Sequence, residues 1–315
     1  MKIAVIATGG TIGSKRQEDG WITRNQEQPF EVIELYQQLS QSDSSVEFDC
    51  FMPYQILSEN LSSVYIDLLI TAVQECISTD CYDGILICHG TDTLQYTAAI
   101  LGYVFAEEKI PICLISSNYP LGDTRANGLD NFHYGVETLT KGLSGVLVVY
   151  RNSDGCTYVH RGTRLLAHQT FEDDLYSIRQ SYLGAYDKNG NWIQNFQTIQ
   201  EEKVKAVPYH GLQEENKGVL WLRVYPGIVY PELPAETEAV LLESYHSGTI
   251  GISRSLQQLC ETAKERRIPV YLIGAISDSE GYETIKEYKQ LGITVLANAA
   301  PIAVYCKLWL ELGMK

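Results

Sequence analysis

The sequence contains no run approaching the roughly 18 consecutive apolar residues of a membrane-spanning helix, so no membrane partner is expected. It has no leader with charged, apolar and small-residue regions ahead of its first strand-like run, so a cytoplasmic location is expected. It has no Cys-x-x-Cys pair among Cys50, Cys76, Cys81, Cys88, Cys113, Cys156, Cys260 and Cys306, and this removes the spacing of a structural zinc site. Reduced thiols are the default for such a chain. Cations are scarce: 24 Lys and Arg stand against 39 Asp and Glu, for a net charge of −15. Nucleic-acid backbones need a cationic surface, so nucleic acid is not an expected partner. Low-complexity tracts and repeats of fixed period are absent as well. One local gap matters later: no lysine lies between Lys141 and Lys188.

What remains is the composition of a globular protein, 315 residues long, 45% apolar and 20% charged. That is roughly two domains' worth of chain. The first stretch, Lys2 to Gly13, runs from β-branched Ile3, Val5 and Ile6 into a turn with Gly9, Gly10 and Gly13 and the hydroxyls of Thr8 and Thr11. It reads as a buried strand ending in a glycine turn open to another molecule's approach. Further strands are expected at Val46–Phe51, Asp83–Cys88, Ile112–Ile115 and Val146–Val149. Helices are expected from Glu31, over Val64–Ile77, from Thr93 to about Glu107 and over Thr124–Lys141. Cys88 and Cys113 fall in the strands as small buried hydrophobes. Tyr158–His160 and Arg164–Ala167 suggest a hairpin.

This alternation predicts an α/β fold, a mostly parallel sheet with helices on both faces. A larger N-terminal domain is expected over 1–185, a polar connection over 186–216, and a smaller α/β domain over 217–315. The smaller domain would hold strands at 218–224, 239–243 and 270–273 and helices at 253–266, 282–290 and 301–312.

Three loops collect hydroxyls and acids at the carboxyl ends of expected strands: Thr8/Thr11, Ser58/Glu59 and Thr91/Asp92. Parallel strands put such loops on one side of a sheet, where open α/β folds bind ligands. A threonine hydroxyl needs a base and oxyanion donors to act as a nucleophile. Each residue also has a plainer role. Thr91 and Asp92 read equally as helix caps, Ser58 and Glu59 as the start of a capped helix, and His89 as a packed histidine.

The segments Ala7-Thr8-Gly9-Gly10-Thr11-Ile12-Gly13 and His89-Gly90-Thr91-Asp92-Thr93-Leu94 stand about 80 residues apart. Together they resemble the two signatures of the bacterial-type L-asparaginases, threonine amidohydrolases. The likeness continues through Ser116–Pro120, Arg125–Gly128 and Gly218–Ile228, spans essentially the whole chain, and is nearest to the cytoplasmic type I branch. It implies hydrolysis of the asparagine side-chain amide to aspartate and ammonia. Thr11 would be the nucleophile, and Thr91 with Asp92 the second catalytic group. Ser58 and Asp92 would hold the substrate's α-carboxylate and α-amino ends, with Glu59 adjacent. Main-chain N–H groups near Gly10 and Thr91 would bind the oxyanion. No metal or organic cofactor is implied, and the assembly would be a homodimer or homotetramer.

Two positions depart from the family pattern. Trp21 stands where an activating tyrosine is expected, and an indole N–H donates but accepts no proton. Ala167 stands where a lysine is expected after Arg161-Gly162-Thr163-Arg164. His168 is the neighbouring group able to compensate as a base, whereas Arg164 stays protonated. Tyr36, Tyr54, Tyr119 and Tyr176 are candidates to enter the site from another direction. The competing functional reading is a binding or sensor protein for aspartate- or asparagine-like ligands. A component of a tRNA-dependent amidotransferase ranks behind both, because the chain is acidic.

Overall fold

β-branched runs too apolar to face water on either side become central strands, and the chain's first strand is the clearest case: Ile3, Ala4, Val5 and Ile6 are all fully buried. The computed structural model describes all residues except 18–19, 25–27, 40–41, 197–203, 213–214, 217, 276, 278–280 and 313–315. The chain separates into two compact units, Met1–Pro208 and Tyr209–Lys315.

The first unit contains β1 (Lys2–Ala7), β2 (Ser14–Arg16), β3 (Ile22–Arg24), β4 (Glu47–Phe51), β5 (Gly84–Cys88), β6 (Ile112–Ile115), β7 (Val146–Arg151), β8 (Thr157–Arg161), β9 (Gly184–Tyr186) and β10 (Trp192–Gln194). Its helices are α1 (Glu31–Gln37), α2 (Ser63–Ser78), α3 (Leu94–Val104) and α4 (Gly128–Thr140). Among the described residues, eight strands form one sheet in the order β10-β9-β8-β7-β6-β5-β1-β4. The pairs from β4 through β7 are parallel, and those from β7 to β10 are antiparallel. Ile3, Val5, Leu86, Cys88, Cys113 and Ile115 pack with Val32 and Ile33 of α1 and Phe132 and Val136 of α4. Ala4, Ile6, Ile85 and Ile87 alternate with these along β1 and β5 and are equally buried. β1 lies between β4 and β5, so the chain leaves it towards one neighbour and later returns to the other. Such a switch point opens a crevice beyond the carboxyl ends of β1 and β5.

The expected α/β architecture is present, with three local differences. Tyr158–His160 lies within β8, but its antiparallel partners are β7 and β9, while Gly162–Arg164 forms a 3₁₀ turn. Gly162 is the reason: a side chain there would strike the main chain of Ala98, so α3 packs directly on this turn. Trp192–Gln194, in the stretch read as a connection, is an edge strand. The polar stretch after β1 folds into the hairpin β2–β3.

The second unit contains β11 (Val219–Arg223), β12 (Ala239–Glu243), β13 (Val270–Ile273), β14 (Ile293–Leu296), α5 (Arg254–Arg266), α6 (Thr284–Gln290) and α7 (Pro301–Leu312). The strands are parallel and in sequence order, with α5 between β12 and β13 and α6 between β13 and β14. Leu256, Leu259 and Ala263 of α5 and Tyr288 of α6 cover one face, and Leu308 and Leu312 of α7 the other. α5 is capped by Ser253, whose Oγ accepts from the Leu256 N–H at 3.2 Å. β14 has no counterpart in the sequence reading.

Tyr288 is fully buried, and its hydroxyl donates to the Ile250 carbonyl at 2.7 Å while accepting from the Ile250 N–H at 2.8 Å. Tyr288→Phe removes both partners and leaves two buried main-chain groups unpaired. A loss of about 1–3 kcal/mol is expected, read as a lower denaturant midpoint for the second unit.

Candidate active site

The ends of β1 and β5 are tied by a single residue. Thr8 donates to the Cys88 carbonyl through both its N–H and its Oγ1, each at 3.0 Å. The loop after β4 joins on the other side: the Ile56 N–H donates to the Thr8 carbonyl at 3.1 Å, and the Gly10 N–H to the Ile56 carbonyl at 2.9 Å. Gly9 and Gly10 have φ of +103° and +76°, a region that L side chains rarely adopt. A Cβ on Gly10 would strike the Gly90 main chain, and one on Gly90 would lie 2.5 Å from Ser58 Oγ. Three loops therefore meet at points where only backbone fits.

Thr11 opens a 3₁₀ turn over Thr11–Gly13 and is half-buried. The turn is held by Ser14 Oγ and the Gly13 N–H, which donate to the Gly10 carbonyl at 2.8 and 3.1 Å. Beyond β5, the helix-cap reading of Thr91 and Asp92 does not hold. α3 begins at Leu94, and no side chain caps it. Thr93 Oγ1 donates instead to the Ser58 carbonyl at 2.9 Å. Ser58 Oγ donates to Asp92 Oδ2 at 3.0 Å and accepts from the Asp92 N–H at 3.3 Å. Ser58 is buried, Thr91 half-buried, and Asp92 and Glu59 exposed. The Gly10 N–H, expected near an oxyanion, is committed to Ile56.

His89 is fully structural. Its Nδ1 lies 2.9 Å from the Gly90 carbonyl and its Nε2 2.9 Å from Thr97 Oγ1. A carbonyl only accepts, so Nδ1 carries the proton and Nε2 accepts from the hydroxyl. Burial lowers its pKa to about 4, against smaller opposing effects from the Gly90 carbonyl and Asp92.

Trp21 is 74% exposed beside the β2–β3 hairpin. Ala167 is exposed. Arg164 donates to Ser181 Oγ at 3.1 Å. Of the four candidate tyrosines, Tyr36 is in the core against Phe48 and Phe132, and Tyr119 stacks under the Arg125 guanidinium at 4.0 Å. Tyr176 donates to Glu172 and Asp174. Tyr54 is buried against Tyr65, near Thr8, and burial raises its pKa.

His168 stands at the edge of the Tyr150 ring, centroids 5.4 Å apart. Burial lowers its pKa, opposed by the charge of Asp92, then by Asp173 and Asp174. Its Nε2 is buried without a hydrogen-bond partner. Sequence reasoning missed the bond from Thr93 to Ser58, and nothing local directs it there. The stretch from Asn118 to Asn127 closes on itself: each asparagine's side-chain oxygen accepts from the other's N–H, at 3.0 and 3.1 Å.

The family described as "Asparaginase, N-terminal" matches residues 2–199. The chain belongs to the asparaginase family. It is 26% identical to the L-asparaginase of Thermococcus kodakarensis, over 99% of this chain and 93% of that protein. The solved structure of the thermostable L-asparaginase from Thermococcus kodakarensis matches with a TM-score of 0.76 at 25% identity, covering 100% of this chain and 94% of that one. A component of the glutamyl-tRNA(Gln) amidotransferase of Methanococcus maripaludis is 26% identical over 72% of this chain and 54% of its own length. The chain thus spans about half the length of these amidotransferase relatives.

Two outcomes follow for this asparaginase-family site. Gly10→Ala forces a Cβ into the Gly90 backbone at a positive φ, and a loss of about 1–3 kcal/mol is expected in thermal or chemical unfolding. His89 makes stability pH-dependent. The unfolded ring takes a proton near pH 6.5, the folded one only at about 4, so the unfolded chain binds more protons between those values. The His89 contribution is full above about pH 6.5 and falls away towards pH 4. His89→Gln should flatten the stability profile in that window by up to about 3 kcal/mol, measured by urea unfolding at stepped pH.

Proposed function

We propose that the chain hydrolyses the side-chain amide of L-asparagine, or of a related small amide, to a carboxylate and ammonia, with Thr11 as nucleophile. The observation that carries this reading is the meeting of Gly10, Gly90 and Ser58, which brings the Thr11 and Thr91–Asp92 loops together beyond adjacent parallel strands. Thr11 Oγ attacks the amide carbonyl, and an acyl-threonine forms as ammonia leaves. Water then attacks that ester and returns Thr11. With the Gly10 N–H committed to Ile56, the main-chain N–H groups of Thr11 and Thr91 take the oxyanion role. Asp92 holds the substrate ammonium and remains exposed for it, with Glu59 beside it. Ser58 meets the α-carboxylate and orients Asp92 at the same time. No metal or organic cofactor enters this chemistry.

The location proposed is the cytoplasm; among the described residues, no helix is long and apolar enough to cross a membrane. A homodimer or homotetramer is proposed, and the exposed Phe51, Met52 and Leu57 near the Ser58 loop offer it apolar surface. Nucleic acid is not a proposed partner, given the net charge of −15. A second reading, a binding or sensor protein for aspartate- or asparagine-like ligands, is favoured by one observation: the residue at the tyrosine position, Trp21, is 74% exposed and accepts no proton.

Ammonia release from L-asparagine and a panel of small amides separates the two. The hydrolase reading expects turnover that Thr11→Ala reduces to background. Ser58→Ala is expected to raise KM about tenfold through the lost hydrogen bond. Saturable aspartate binding by calorimetry without turnover above the Thr11→Ala background would establish the sensor reading instead.

A further inference from the structure

Asp92 and Gln95 stand three positions apart, the Asp-x-x-Gln spacing of a capping box. In that device the aspartate carboxylate turns back onto the first N–H groups of the helix, and the glutamine oxygen accepts from the aspartate N–H. Here each bond goes elsewhere. The Asp92 N–H donates to Ser58 Oγ at 3.3 Å, and Asp92 Oδ2 accepts from Ser58 Oγ at 3.0 Å. Gln95 presents its other end: Nε2 donates to the Asp92 carbonyl at 3.0 Å. A carbonyl only accepts, so this bond fixes which end of the amide faces Asp92.

An N-cap carbonyl ordinarily accepts from the N–H four positions on, here that of Tyr96. Tyr96 and Thr97 instead both donate to the Thr93 carbonyl at 3.1 Å, and α3 starts at Leu94. The Asp92 carbonyl therefore meets the Gln95 side chain where a helical N–H would stand. The first turn of α3 is anchored around it: Thr93 Oγ1 donates to the Ser58 carbonyl at 2.9 Å, and Thr97 Oγ1 lies 2.9 Å from His89 Nε2. Gln95 is 3% exposed, and its Oε1 is buried without a hydrogen-bond partner. Methionine or leucine would fill this place without an unpaired buried acceptor. The amide thus costs stability that its bond to Asp92 must offset.

We propose that Gln95 is a positioning residue of this site, which holds Asp92 outside α3 and so keeps its carboxylate on Ser58, ready for the substrate ammonium. The inference rests on the amidohydrolase reading, in which Asp92 takes that ammonium. The N–H, the carbonyl and Oδ2 of Asp92 are all committed. Among the described residues nothing bonds Oδ1, and Asp92 is exposed, so Oδ1 is the atom left for a ligand. An ammonium arriving there meets a carboxylate already oriented. Without the Gln95 donor, the Asp92 carbonyl takes the Tyr96 N–H and α3 begins one residue earlier. Aspartate is among the best N-caps, so its carboxylate then turns onto the helix N–H groups and leaves Ser58. Gln95 acts through Asp92 alone, so its effect is confined to ligands that carry an α-amino group.

The test uses ligand pairs that differ only in the amino group, with the full chain. L-aspartate and succinate are compared in binding by calorimetry, and L-asparagine and succinamate in kcat/KM. Wild type, Gln95→Met and Asp92→Asn are measured, with thermal unfolding of each. Methionine is unbranched like glutamine and donates no hydrogen bond. Expected in Gln95→Met is a preference for the amino-bearing ligand reduced about tenfold, with succinate affinity and the unfolding midpoint close to those of wild type. Gln95→Leu carries the same expectation should the methionine variant not fold. Equal weakening of both ligands, or an unchanged preference while Asp92→Asn lowers it, overturns the role of Gln95 and leaves the hydrolase reading intact. A preference unchanged in Asp92→Asn as well overturns the roles of Gln95 and Asp92 together. No Thr11-dependent turnover in the wild type overturns the hydrolase reading alone, since the aspartate–succinate pair reads Gln95 without turnover.

Discussion

The site depends on one contact, backbone against backbone, between the loops that leave β1 and β5. Gly10 and Gly90 approach so closely that neither tolerates a Cβ, and Ser58 closes the third side. Everything placed around the crevice inherits its position from this contact. Thr8 holds the two strand ends at one distance by giving both its donors to a single carbonyl, that of Cys88. Ile56 then laces the loop after β4 to the same point. A hydrogen-bonded frame of main-chain groups resists the small displacements that side-chain contacts absorb, and such rigidity suits a site whose reacting atoms must meet within a fraction of an ångström.

Burial sorts the histidines around this frame. His89 and His160 are fully enclosed, and burial pulls both pKa values down, to about 4 and about 3. His89 has a partner on each nitrogen and braces the turn into α3. His168 is less enclosed, and its Nε2, like that of His160, is buried without a hydrogen-bond partner.

The large elements were legible because burial writes itself into composition. β1, β5, β6 and β7 are runs of Ile, Leu and Val that have no other stable place than a covered sheet. The short ones were not. Gly184–Tyr186 and Trp192–Gln194 are three residues each, with too few positions for a period; the first is a strand because β8 offers an edge to pair with, and the second because the first does. Ile293–Leu296 is four residues between two helices and is a strand because β13 lies beside it. Thr93 was read as the start of a helix on local grounds, yet its hydroxyl reaches a carbonyl 35 positions away.

By itself, the sequence determined which residues must be inside, where the chain turns on glycine, and that threonines follow the first and fifth strands. It also determined that Trp21 and Ala167 bring no base to those threonines, since that is a matter of side-chain chemistry. Only the tertiary structure decided how the polar groups divide their bonds. It turned Ser58 onto Asp92, committed the Gly10 N–H to Ile56, pointed Arg164 at Ser181 and set His168 against Tyr150. The glycine turn at Thr8–Thr11 is legible as a turn, but its partner at Gly90 is not, because a contact spanning 80 positions is fixed by strand order and not by local preference.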